Sequence, residues 1–130
     1  MSEIFNIPSE KIKDFLNDNS NSVVLDVRTE EEWKGVGRPN AENLNSKTLF
    51  ISLLLGPDRK KNENFVKEFL DKKVSKKDNV LIICRSGVRS MAAAKLLQEQ
   101  GYKNLINISD GFEGNPAKIS NHLEFLWQLV

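Results

Sequence analysis

The chain has 130 residues, 39% of them hydrophobic and 28% charged, with 19 Lys and Arg against 18 Asp and Glu. These are the proportions of one globular domain spanning residues 1–130, and a net charge of +1 gives no electrostatic case for a nucleic-acid or membrane-surface partner. No apolar run approaches the roughly 18 residues of a membrane span, and residues 1–20 lack the cationic start and apolar stretch of a signal peptide, so a cytoplasmic protein is expected. The single cysteine excludes an intramolecular disulfide and fits a reducing compartment.

Taken in chain order, residues 4–7 predict a short strand, and residues 8–16 a helix with Ile12, Phe15 and Leu16 on one face. Residues 22–27 predict the next strand. Thr29 and Glu32 have the capping-box spacing, so a short helix should start at Thr29, bury Trp33 and stop near Gly35. Residues 62–70 place Phe65, Val66, Phe69 and Leu70 on one helical stripe. The lysines around it, at positions 60, 61, 67, 72, 73, 76 and 77, read as a solvated face, with an acidic partner surface as the alternative.

The most telling stretch follows. Val80 to Ile83 is an unbroken aliphatic run, suited to a strand covered on both faces of a parallel sheet. From Ser90 the composition turns to strong helix formers, with Gly101 placed as the terminator. Arg85 to Arg89 is then a tight strand-to-helix loop, whose N–H groups and helix dipole face one point, an anion-binding arrangement. Cys84 opens that loop. A helix N-terminus and nearby cations bring a cysteine from about 8.5 to roughly 3.5–7.5, and Arg85 and Arg89 lie within five residues, so Cys84 is expected to be a substantially ionised nucleophile rather than a core hydrophobe. Gly87 permits positive φ at the apex or close approach of a bound group.

Residues 105–108 predict the last strand of the sheet, and Ile119, Leu123, Leu126, Trp127 and Val130 recur at helical spacing. Strands alternating with helices indicate a three-layer α/β fold with chemistry beyond the carboxyl ends of the strands, where Asp26 and Cys84 both fall. His122 is the only histidine, remote from Cys84 in sequence, and reads as a surface residue. One Cys and one distant His supply no metal spacing, and no cofactor is called for.

The loop Cys84-Arg85-Ser86-Gly87-Val88-Arg89-Ser90 resembles the active-site loop of the rhodanese family of sulfurtransferases, Cys-Arg-x-Gly-x-Arg-Ser, at every fixed position. Two further segments are similar to the family: Val24 to Trp33 with the following Gly37-Arg38-Pro39-Asn40-Ala41, and the turn Gly111-Phe112 with Gly114. The family pattern Gly-His-Ile-Pro-Gly-Ala is not kept, since Gly35-Val36-Gly37-Arg38-Pro39-Asn40-Ala41 has no histidine and one residue more. Residues 45–75 diverge most and border the active site in the family.

The resemblance implies a rhodanese-like fold, a mostly parallel five-stranded sheet flanked by helices, and a sulfurtransferase that moves a sulfane sulfur through a Cys84 persulfide. Cys84, Arg85 and Arg89 are its expected catalytic residues, and Ser86, Gly87, Val88 and Ser90 its substrate-binding loop. Asp26 and Arg28 admit two readings: they orient Arg89 and hold the site, as the resemblance implies for the aspartate, or they form an ion pair that only anchors the loop. The expected partners are a small anionic sulfur donor and a thiol or cyanide acceptor in trans, because no second cysteine can resolve the persulfide within the chain. Two other readings remain open. A phosphatase or arsenate reductase-like enzyme uses Cys-x5-Arg where this loop has Cys84-x4-Arg89, and a non-catalytic binding module would need no nucleophile.

Overall fold

The computed structural model describes residues 3–36 and 46–112. The expected motif at 37–41, Gly114, the terminal helical pattern and His122 lie outside them.

The chain runs through β1 (Ile4–Ile7), a 3-10 turn (Ser9–Lys11), α1 (Ile12–Asp18), β2 (Ser22–Asp26), α2 (Glu30–Val36), β3 (Lys47–Phe50), β4 (Leu54–Leu55), β5 (Lys60–Lys61), α3 (Phe65–Asp71), β6 (Asn79–Ile83), α4 (Val88–Glu99) and β7 (Asn104–Ile108). Five strands form one sheet in the order β1-β7-β6-β2-β3, and every pairing in it is parallel. β4 and β5 form a separate antiparallel ribbon. Because β6 and β2 lie at the centre and are covered on both faces, their inner stretches, Val23 to Leu25 and Val80 to Ile83, are aliphatic rather than alternating.

Strand alternation sorts the core into two layers. Val23, Leu25, Val80, Ile82, Cys84 and Leu105 point to the face covered by Phe65 and Phe69 of α3 and by Ala93, Ala94 and Leu97 of α4. Val24, Leu81, Ile83, Ile106 and Ile108 point to the other face, covered by Ile12 and Leu16 of α1 and by Phe112. Asp26 pairs with Ile83, so the ends of the two central strands lie side by side and deliver Asp26 and Cys84 to the same edge.

Several boundaries differ from expectation for local reasons. Residues 9–11 form a 3-10 turn instead of the first helical turn, since extended Pro8 caps it and the Ser9 N–H and hydroxyl both donate to the Asp110 carboxylate, at 2.7 and 2.8 Å. Leu70 is exposed: Phe65 and Phe69, one turn apart, fill the interface, and Leu70 is rotated away. α4 begins at Val88, two residues before the expected start, so Arg89 belongs to the first helical turn and not to the loop. The alanine-rich run marks the middle of this helix; its start is set by Gly87, the N-cap residue, at φ +97°. Gly101, at φ +95°, ends it as expected. Among the described residues, no helix is long and apolar enough to cross a membrane.

Candidate active site

Cys84 follows directly on β6, and its side chain is buried at 1% exposure. Its Sγ accepts the Gly87 N–H at 3.1 Å and lies 3.3 Å from the Ser90 hydroxyl. This tight curl around the sulfur requires positive φ at Gly87, where a Cβ would also collide with the Ser109 carbonyl. Gly111, at φ +69°, is held as closely, because a Cβ there would overlap the Arg85 carbonyl. The next residue, Phe112, donates its N–H to the Cys84 carbonyl at 2.7 Å. The turn after β7 therefore supports the loop from below.

Arg89 and Arg28 have acidic partners. Arg89 meets Glu32 end to end, Nη1 to Oε1 at 2.5 Å and Nη2 to Oε2 at 2.9 Å. Glu32 is also the capping residue of α2: its carboxylate accepts the Thr29 N–H and hydroxyl, and its own N–H donates to Thr29 Oγ1 at 3.3 Å. Burial pushes the Glu32 carboxyl up, but the Arg89 and Thr29 hydrogen bonds and the Arg89 charge outweigh it and hold the group at about 2. Hydrogen bonding to Glu32 raises Arg89 above its already high value against the opposing effect of burial, with the charges of Glu32 and Asp26 adding to it.

Asp26 does not touch Arg89. Its carboxylate receives the Arg28 backbone N–H, Nε and Nη2, the last at 2.8 Å, and both side chains are essentially inaccessible. The Arg28 guanidinium also lies 4.1 Å over the Phe112 ring, which ties this pair to the turn beneath Cys84. Asp26 is thus paired with Arg28, and the carboxylate in direct contact with Arg89 is that of Glu32.

The expected loop thus divides in two. Arg85, Ser86 and Val88 are exposed, whereas Gly87 and Ser90 are buried and meet the sulfur from the protein side. Sequence reasoning found Glu32 as a helix cap but missed its second partner, since nothing in the spacing connects it to a position 57 residues later. It also missed Arg59, on the turn between β4 and β5, whose Nη2 lies 3.6 Å from Glu32 Oε1. Asn107 was missed as well, although one amide inside the apolar run Leu105-Ile106-Asn107-Ile108 was a visible signal. Among the described residues, no group of three His, Cys, Asp or Glu side chains is placed to hold a metal ion.

Residues 9–115 match the Rhodanese-like domain family. The chain belongs to that family. As a rhodanese-like protein it is 48% identical over 111 residues to an uncharacterized protein of Rickettsia prowazekii, with 85% of each chain covered. It is 31% identical over 88 residues to Thiosulfate sulfurtransferase 18 of Arabidopsis thaliana, covering 68% of this chain and 62% of that one. The crystal structure of Rv0390 from M. tuberculosis superposes with a TM-score of 0.76 at 33% identity, over 88% of this chain and 83% of that one.

Proposed function

We propose that this rhodanese-like protein is a sulfurtransferase that carries a sulfane sulfur on Cys84. The observation that carries the reading is the sulfur itself, recessed at the end of a central strand, fixed by the Gly87 N–H and overlooked by the first turn of α4. The orphan amides of that turn and the helix dipole favour an anion there. Similarity to a thiosulfate sulfurtransferase supports the same chemistry.

In the first half-reaction the Cys84 thiolate attacks the outer sulfur of thiosulfate. A new S–S bond forms, the old one breaks, and its electron pair leaves with sulfite. In the second, cyanide or a thiolate attacks the outer sulfur of the Cys84 persulfide, and the Cys84 thiolate is released. Arg85 attracts the anionic donor at the exposed rim, Ser86 and Val88 line the approach, and Arg89, fixed by Glu32, supports negative charge developing on the leaving group. The loop Cys84-x4-Arg89 is one residue shorter than a phosphatase loop and makes a smaller anion pocket. The acceptor comes from outside the chain, and a cytoplasmic location fits the single reduced cysteine.

Intact mass spectrometry tests the reading. Thiosulfate should add the mass of one sulfur atom, cyanide should remove it as thiocyanate, and Cys84→Ser should do neither. Undiminished thiocyanate production by Cys84→Ser would rule out the nucleophile, and aryl phosphate turnover comparable to sulfur transfer would replace the assignment with a phosphatase.

A further inference from the structure

Asn107 is the one amide on the inner face of β7, 3% exposed, where strand alternation otherwise places aliphatic side chains. It pairs in register with Ile82, two residues before Cys84, and so lies on the same face of the sheet as the sulfur. Its Nδ2 donates to the Gly87 carbonyl at 3.2 Å and to Asn6 Oδ1 at 2.9 Å. A backbone carbonyl can only accept, so the amide has a single orientation, with Oδ1 directed at the Ser90 hydroxyl. That hydroxyl donates to Oδ1 in a short hydrogen bond.

A serine hydroxyl has one proton. Once it is given to Asn107, the face that Ser90 turns to Cys84 carries only lone pairs, and the 3.3 Å contact is completed by the thiol proton of Cys84. The arrangement favours the protonated sulfur and sets a lone pair against the ionised one. We propose that Asn107 is a positioning residue that, through Ser90, restrains ionisation of Cys84 and keeps the resting sulfur a thiol. Ionisation then requires the Ser90 hydroxyl to turn from Asn107 to the sulfur, leaving Oδ1 buried without that donor. The inference rests on Cys84 being the reactive group of the proposed function, but its test needs no sulfur transfer.

Because Cys84 is the only cysteine, alkylation by iodoacetamide and the S–H stretch in the infrared each report this sulfur alone. The charged groups on the elements around it include Arg85, Arg89 on α4, Glu32 on α2, the Asp26–Arg28 pair at the end of β2 and Asp110 after β7, and the substitutions below change no charge. Asn107→Leu, of similar volume, frees the Ser90 hydroxyl, and the pH midpoint of alkylation should fall by about half to one unit. In a Ser90→Ala background the same substitution should cause no further shift, since the intermediary is gone. A midpoint that rises or stays put, or an equal shift in both backgrounds, would overturn the proposal, the latter by showing that Asn107 acts through Gly87 or the fold. Ser90→Ala alone keeps the proposal testable if Asn107→Leu does not fold. The S–H band of the reduced wild-type protein should move toward the position of a free thiol in this variant, and an unmoved band would show that Ser90 does not accept from Cys84. Loss of sulfur loading with these shifts intact would sink the sulfurtransferase reading and leave this one standing.

Discussion

Arg89 and Glu32 lie 57 residues apart in the chain and meet through two parallel hydrogen bonds, at 2.5 and 2.9 Å. One carboxylate therefore does two jobs, capping α2 and fixing the guanidinium at the start of α4. It also offsets the positive charge that the loop sequence alone suggests.

The first prediction concerns acid. The folded protein holds Glu32 at about 2, below its ordinary 4.5, so this group stabilises the fold in full above about 4.5 and loses that contribution as pH falls toward 2. Glu32→Gln should flatten this part of the stability profile. Urea unfolding of both proteins between pH 2 and pH 6 measures it, and parallel profiles would show that the ion pair adds nothing.

Asp26→Asn should destabilise the fold strongly, by about 3–5 kcal/mol, because it leaves the buried Arg28 guanidinium without its counter-charge. Equilibrium unfolding in urea gives the value. A loss under about 1 kcal/mol would mean that water reaches the pair.

Gly87→Ala meets two obstacles, an unfavourable φ and overlap with the Ser109 carbonyl. Strain of about 1–3 kcal/mol is expected, with displacement of the N–H that holds the sulfur. Sulfur loading by thiosulfate should fall at least tenfold even where the variant is still folded by circular dichroism.

Arg59 brings a half-exposed cation to Glu32 from the divergent segment 45–75. Arg59→Asn, chosen because asparagine tolerates the φ of +51° found there, should raise the KM for thiosulfate about two- to fivefold without changing kcat. Added salt should erase the difference. Equal KM values at low salt would remove Arg59 from the donor's approach.

The strand-loop-helix unit from Val80 to Gly101 and the capping box at Thr29 were legible because each is written in contiguous residues. The fifth strand, β3, was not located: Lys47-Thr48-Leu49-Phe50 is a half-buried edge strand that lacks the aliphatic run of the centre. Asp26 was assigned two roles from the sequence because strand register, which sets it against Ile83 and leaves Arg28 to fold back over it, is a tertiary fact. The pairing of Arg89 with Glu32 and of Ser90 with Asn107 was hidden for the same reason. Both join residues whose proximity depends on how α2, α4 and β7 pack.

The sheet order has a consequence in time. Among the described residues β1 pairs only with β7, whose residues come about a hundred positions later. At a synthesis rate of about 5–20 residues per second, Ile4 to Ile7 wait about 5–20 seconds for the strand that will hold them. During that interval Ile4, Phe5 and Ile7 belong to no sheet, and the clasp between Ser9 and Asp110 cannot close. The edge of the domain is made early and seated late, which makes this short strand the segment of the nascent chain most in need of protection from other unpaired strands.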